Sequence, residues 1–315
     1  MAQAQVAPKA GFFGRYSQMG RTERRNLWLG LAFVSPWIFG FLAFFVYPFF
    51  YTFRIGFTRY SGFRDPEWIG LENYRDLMST DQFWKALYNT FYYTLIAVPV
   101  GAAVAMILAL CMNQALKETS VYRTILYLPS VLPLFALAYV WRSLLDPSQG
   151  FFNQILIKVG LPNINWFGDP RYSKIALVLL AQFGAGQVAI IFLAGLKGIP
   201  SSLYEAAMLD GANSWRRFWG ITLPLMTPVI LYDIILGVSL GLQIFTQVFI
   251  IFGNNPPGSP VGSTLMYVPY LYNNAFRYSE MGVASAVSMI LFAITIALSF
   301  LIFRTARHWV NYDTI

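Results

Sequence analysis

Five polar side chains interrupt two otherwise apolar runs: Gln182 and Gln187 in one, Gln243, Thr246 and Gln247 in the next. Amides and hydroxyls both donate and accept hydrogen bonds. At membrane depth such groups are costly unless they face a cavity or a partner, and together they suit a neutral, hydroxylated solute. Phe183 and Phe245 lie beside them and offer apolar surface for a ring. On a continuous helix, Gln243 and Gln247 are four residues apart and share a face, with Thr246 alongside. Hydrogen bonding between helices is the competing use of the same amides. One acid, Asp233, stands within the second run, about two turns past Pro224. With no relay of ionisable neighbours it reads as a polar contact, to a partner subunit for example, and not as a proton carrier.

The sequence offers no catalytic residue and no metal site. It contains no G-x-x-x-x-G-K-[ST], no H-E-x-x-H and no cysteine pair; Cys111 is the sole cysteine and His308 the sole histidine. ATP is therefore not held here by a P-loop, and no cofactor is expected on this chain. Gly184-Ala-Gly186 resembles half of a dinucleotide fingerprint but follows no strand, so close helix packing is the better reading. Gly237 and Gly241 form a G-x-x-x-G that is also a packing feature first.

Between the two glutamine-bearing runs lies Ile199-Pro-Ser-Ser-Leu-Tyr-Glu-Ala-Ala-Met-Leu-Asp-Gly-Ala-Asn213, continuing to Ile221-Thr-Leu-Pro224. Ser202 precedes Glu205 by three residues, the capping-box spacing, which predicts a helix start at Ser202. Gly211 is placed to end that helix, and Asn213 or Ser214 to cap a second one running to Gly220. Pro224 then opens the next apolar run, where proline is tolerated. So organised a segment predicts a docking surface and not a tether.

These elements are carried by an unusually apolar chain: 57% hydrophobic, 18% aromatic and 11% charged, with mean hydropathy +0.53. Soluble domains carry about a quarter charged residues, so the class is an all-α polytopic membrane protein. Six runs are long enough to cross a bilayer: Leu27–Phe53, Tyr88–Met112, Thr124–Leu145, Lys174–Leu196, Leu225–Phe252 and Met281–Phe303. The third is interrupted by Pro129 and Pro133. The first is too long for the core of a cleavable signal and is expected to remain as a span. The organisation expected is a basic segment over 1–26, a membrane domain over 27–303 and a tail over 304–315.

The net charge of +8 comes from basic residues flanking the runs, which argues for membrane orientation and against nucleic acid. Arg21, Arg24 and Arg25 (with Lys9 and Arg15), Lys117, Arg123, Lys197, Arg216, Arg217, Arg304 and Arg307 fall on one side. That side is expected to be cytoplasmic, with both termini and the 199–224 loop. Phe151–Gly160 has an amphipathic period suited to the opposite interface, and the segment from Gly253 to Pro260 is too rich in turn residues for a helix.

Glu205-Ala-Ala, then Gly211, then Ile221-x-Leu-Pro224 resembles, in residue type and spacing, the EAA loop of permease subunits from binding-protein-dependent ABC importers. Gly70-Leu-Glu-Asn-Tyr-Arg-Asp-Leu77, Tyr122 to Pro133 and Ala194 to Pro200 resemble the carbohydrate branch of that family, of maltose and glycerol-phosphate type. The resemblance runs from about Trp28 to Phe303, and is to the first of two nonidentical permeases, without a large periplasmic insertion. It implies a bacterial inner-membrane protein working with a second permease, two ATPase subunits that hold ATP and magnesium, and a periplasmic solute-binding protein that delivers a carbohydrate. It implies that Glu205, Ala206, Ala207, Met208, Asp210, Gly211, Ile221, Leu223 and Pro224 form the loop that docks on the ATPase. In this reading Glu205 fixes the helix and offers an ion pair, and Gly211 permits the bend. Mapped through relatives, Phe183, Gln187, Gln243 and Thr246 are the preferred substrate contacts, with Gln182, Phe245 and Gln247 also on the path. The alternatives are a permease of the same type for glycerol phosphate or an amino acid, or an ion-coupled transporter. The first would need cationic groups in the cavity and the last more intramembrane acids than Asp233.

Overall fold

The structure, a computed structural model, describes residues 20–114, 119–253 and 262–312. Among these, five helices are long and apolar enough to cross a membrane: Arg21–Ile55, Asp81–Met112, Pro170–Gly198, Ser214–Phe252 and Met281–Ala306. A sixth crossing exists if Ser120–Val131 and Leu134–Leu144, bent by 93° to one another, act as one broken span. The expected Thr124–Leu145 helix is thus corrected to two helices. Pro133 sits at the bend, where it has no N–H to carry the ladder across. Lys9, Arg15, Lys117 and most of the Gly253–Pro260 segment lie outside the described residues.

The chain divides into two compact units, residues 1–54 and 55–315. The first unit consists of α1 (Arg21–Phe41), a π-helical turn over Leu42–Val46 and most of α2 (Tyr47–Ile55). The helix begins at Arg21, six residues before the apolar run, because the Glu23 side chain accepts from the backbone N–H of Gly20 at 3.0 Å and caps that end. Trp37, Phe41 and Phe45 stack one turn apart along one face.

The second unit opens with a two-stranded ribbon, β1 (Thr58–Arg59) and β2 (Glu67–Trp68), followed by α3 (Glu72–Ser79) and α4 (Asp81–Met112). Then come α5 (Thr119–Val131), α6 (Leu134–Leu144), α7 (Phe151–Lys158), α8 (Pro170–Ala181) and α9 (Ala185–Gly198). The loop region holds α10 (Ser201–Leu209) and α11 (Ser214–Arg217). The remainder is α12 (Leu223–Leu242), α13 (Thr246–Phe252), α14 (Tyr267–Tyr272) and α15 (Met281–Ala306).

Helix α4 is the spine of this unit, packed along α9, α12 and α8. Small residues let the backbones approach. Ala105 and Ala109 are fully buried against the cluster that includes Ala189 and Phe192. The expected packing role of the glycines holds: a Cβ at Gly237 would stand 3.0 Å from Val98, and one at Gly241 2.9 Å from Thr94. A Cβ at Gly186 would stand 3.0 Å from the Ser130 hydroxyl.

Buried polar side chains tie the loops down. Asn89 donates to the carbonyls of Gly262 and Leu265 at 2.9 and 3.0 Å and accepts from Lys174 at 3.0 Å. The Lys174 ammonium also stands 4.7 Å from the centre of the Tyr92 ring. Asn73, from the Gly70–Leu77 motif, holds the carbonyls of Gly56 and Thr58. Arg123 donates twice to the Met112 carbonyl, at 3.0 and 2.9 Å, closing the C-terminus of α4 with a cation. Asp169 caps α8, and hydrogen bonds from the side chain and backbone of Arg171 hold its carboxyl below the usual range.

Candidate functional site

Three helix breaks converge on one cavity of 660 Å³. The α5–α6 bend brings Pro129, Ser130, Leu132 and Leu134 to its wall. Between α8 and α9 the chain tightens to a 3₁₀ turn over Gln182–Gly184, and both Gln182 and Gly184 face the cavity. Between α12 and α13 the helix stops, and Gln243, Ile244 and Phe245 line the opening. Non-helical backbone at membrane depth is tolerated where it lines such a cavity, because its freed amides and carbonyls can find solvent or solute. Helix α4 forms the back with Tyr93, Ala97, Val98 and Gly101.

Six of the seven expected path residues keep company here. Gln182, Gln187, Gln243, Phe245, Thr246 and Gln247 all line the cavity. Gln182 uses its amide N–H on the Val178 carbonyl at 2.7 Å, while its buried Oε1 has no hydrogen-bond partner among the described residues. A buried acceptor without a partner costs on the order of 1–3 kcal/mol, which a donor entering the cavity would recover. Gln187 donates to the Ser130 carbonyl at 3.3 Å, and Gln243 to the Ser239 carbonyl at 3.0 Å. Each therefore keeps its Oε1 for other use.

Two expectations are corrected. Phe183 is not on the wall; its ring packs edge-on to Trp141, 5.0 Å between centres, because the 3₁₀ turn rotates it away from Gln182 and Gly184. Gln243 and Gln247 do not share a helix face either. Gln243 ends α12 and Thr246 begins α13, so they meet across a break and not along a ladder.

Sequence reasoning missed Tyr93, Ser130 and the placement of Asp233. Asp233 lines the cavity in one stripe with Gly237, Leu240 and Gly241, at helical spacing. No lysine or arginine is found on the wall among the described residues, and Asp233 is its sole ionisable carboxylate. The spacing 233, 237, 240 and 241 was the available signal: a polar residue in register with two glycines that pack against α4.

The loop after α9 has a different surface. The predicted capping box does not form: α10 starts at Ser201 behind Pro200, with no side-chain cap. Proline at the cap sets the start one residue earlier, so Ser202 is already inside the helix. Glu205 makes no hydrogen bond or ion pair with a described residue and therefore does not fix the helix. Its carboxylate is exposed, as are Ala206 and Met208. Gly211 ends α10 at φ +76°, with its N–H on the Met208 carbonyl at 3.0 Å and the Ala212 N–H on the Ala207 carbonyl at 2.9 Å. This is a Schellman motif, the arrangement that favours glycine.

Asn213 caps α11 by accepting from the Arg216 N–H at 2.9 Å. The second helix does not stop at Gly220, however. It runs through a π-helical turn over Phe218–Thr222 directly into α12. Pro224 has no N–H for the carbonyl four residues before it, and the wider turn absorbs that gap. Leu209 is 90% exposed, and Met208, Trp215 and Trp219 are also exposed.

Interrupted spans around a cavity and a structured loop with exposed apolar residues define a class: polytopic helical membrane proteins with a solute-sized cavity at membrane depth. The chain belongs to the family described as binding-protein-dependent transport system inner membrane component, whose model matches residues 77–311. It is 38% identical over 297 residues to the probable ABC transporter permease protein YesP of Bacillus subtilis (strain 168), covering 93% of this chain and 95% of that protein. It is 33% identical over 270 residues to the arabinooligosaccharides transport system permease protein AraP of the same organism, covering 85% of each. It is 30% identical to the trehalose/maltose transport system permease protein MalF of Thermococcus litoralis, covering 91% of this chain and 96% of that protein. In fold it matches a chain of a bacterial ABC transporter involved in the import of the acidic polysaccharide alginate. The TM-score is 0.80 at 23% identity, over 92% of this chain and 99% of that one.

Proposed function

We propose that this chain is the permease subunit of an ATP-driven importer for a neutral carbohydrate, an oligosaccharide or sugar derivative. It forms half of the translocation path beside a second, nonidentical permease. A solute-binding protein delivers the sugar at the outer face. Two separate ATPase subunits, which hold ATP and magnesium, drive the cycle from the cytoplasm. This chain carries no catalytic residue and binds no cofactor of its own. Both termini and the 199–224 loop face the cytoplasm, in keeping with Arg216, Arg217, Arg304 and Arg307 at that end.

The observation that carries the choice of solute is the lining: four glutamines and Thr246 around a cavity whose wall has no described cation. Amides offer both donors and acceptors to hydroxyls, and Phe245 supplies an apolar ring for a sugar face. A phosphorylated solute would enter unpaired and beside Asp233, which disfavours the glycerol-phosphate alternative. The relatives named for arabinooligosaccharides and for trehalose and maltose support the same solute class.

Coupling runs through the loop. Glu205 is free to pair with a basic residue of the ATPase, while Ala206, Ala207, Met208 and the exposed Leu209 pack into its surface. Asp210, Gly211, Ile221, Leu223 and Pro224 set the turn and the exit into α12. ATP shifts the permease between inward- and outward-facing states only so far as these contacts differ between them.

The test is a thermal-shift screen for the ligand of the cognate solute-binding protein, followed by uptake of that ligand into proteoliposomes holding the full complex. Replacing Gln187 and Gln243 together by alanine is expected to lower uptake about tenfold or more, the size of one to two hydrogen bonds to a polar solute. Unchanged uptake and unchanged ligand-stimulated ATP hydrolysis would remove both residues from the path.

A further inference from the structure

Pro228 has no N–H, so the carbonyl of Pro224, four residues before it, loses its helical donor. Two side chains replace that donor. The Thr227 hydroxyl donates to the Pro224 carbonyl at 2.7 Å, and the Asn311 amide donates to it at 3.4 Å. The backbone N–H of Asn311 in turn donates to the Thr227 hydroxyl oxygen at 3.0 Å. Asn311 is not on α12. It lies beyond the end of α15, after a turn in which Trp309 and Val310 both donate to the Ala306 carbonyl. Val310 is buried at 8% exposure with Ala306 and Leu231, so an apolar anchor fixes the segment just before the polar contact.

The geometry points to a clamp. The Val310–Asn311 segment fastens the end of the last span to Pro224, the residue at which the 199–224 loop enters α12. Thr227 and Asn311 are positioning residues: neither lines the cavity nor lies within the 199–224 loop, and together they hold the loop's exit in fixed relation to α15. A push on the loop is then shared between α12 and α15 and is not dissipated in the Phe218–Thr222 turn. A π-helical turn is a place where a helix can change register, so an anchor immediately after it decides how much motion passes. The inference rests on the proposed docking of this loop on an ATPase.

The experiment uses the whole complex in proteoliposomes, with the single substitutions Thr227→Val, Thr227→Ser and Asn311→Ala. Four quantities are read: copies of ATPase retained, basal ATP hydrolysis, solute transported per ATP, and melting temperature. Thr227→Val and Asn311→Ala are expected to lower transport per ATP by about threefold to tenfold, as loss of one or two hydrogen bonds would shift a two-state balance. ATPase copies and basal hydrolysis should stay at wild-type values, and Thr227→Ser, which keeps the hydroxyl, should transport as wild type. Unchanged transport per ATP in Thr227→Val and Asn311→Ala overturns the clamp, whatever happens to the melting temperature. An equal fall in Thr227→Ser also overturns it. If the wild-type complex retains no ATPase at all, the docking reading itself fails, and the clamp with it.

Discussion

Gly211 permits a graded test of the loop. It sits at φ +76°, and a Cβ built there meets nothing within 4 Å. A side chain therefore costs backbone strain alone, with no clash to confuse the result. Placing an L-residue in the left-handed region costs about 1–2 kcal/mol, less for asparagine and more for a β-branched side chain. Each 1.4 kcal/mol is tenfold in an equilibrium, so Gly211→Ala should reduce the population of the docked turn by about 5- to 30-fold. The expected order is glycine, asparagine, alanine, valine. The assay is titration of purified ATPase subunit onto permease pairs in nanodiscs, reading apparent affinity for each variant. The permease's own melting temperature should fall by no more than this strain allows, because Gly211 touches no packed neighbour and no clash adds to it. Gly211→Asp is expected to leave the protein inserted and transport abolished, since it adds a charge beside Asp210 as well as strain. Equal affinity for glycine and valine would show that the turn is not what the ATPase recognises.

Other substitutions test the packing and the cavity. Gly241→Val would drive a side chain into Thr94, 2.9 Å from the new Cβ, and should cost about 1–3 kcal/mol, seen as a lower melting temperature in detergent. Asn89→Leu strands the carbonyls of Gly262 and Leu265 and the Lys174 ammonium; it should cost at least ~3 kcal/mol and expose the 262–265 segment to hydrogen exchange. Asp233→Asn should raise uptake of a uronic-acid sugar relative to its neutral parent, since a unit charge about 6 Å away is worth about 2–3 kcal/mol at an effective dielectric of 20. An unchanged ratio would show that Asp233 is neutralised by the partner permease. Asp146 accepts from the Ser148 hydroxyl and from the amides of Ser148 and Gln149, and these bonds lower its pKa. Because the folded value is depressed, the turn's stability should be constant through neutral pH. It should be lost only as pH falls through the range below ordinary carboxylates, as read by exchange of the Gln149 amide.

Where backbone chemistry is written in residue type, the sequence was a good guide. Gly211 foretold a helix end, and Asn213 was one of two residues expected to cap the next helix; Pro129 and Pro133 marked the third run as interrupted without announcing the 93° bend. Gly237 and Gly241 foretold close approach, and the four glutamines lie together on the wall of one cavity. The break at Gln243–Phe245 was invisible because it contains neither proline nor glycine, and its hydropathy continues that of the flanking helices. For the same reason the i, i+4 argument for Gln243 and Gln247 failed although both reach the cavity. Ser202 misled because a box pattern two residues after proline yields to the constraint that proline imposes. The Asn311 contact joins residues far apart in the chain, and no local pattern announces it.

The most direct test of the account is made on the intact assembly. Purified under mild conditions, the chain should bring with it one different permease and two copies of an ATPase, counted by native mass spectrometry. In proteoliposomes, that complex with its binding protein should hydrolyse ATP faster when the sugar is present and accumulate the sugar only when ATP is supplied on the side bearing the 199–224 loop. A complex that imports the sugar with no ATPase bound, or that responds to an ion gradient instead of ATP, would contradict it.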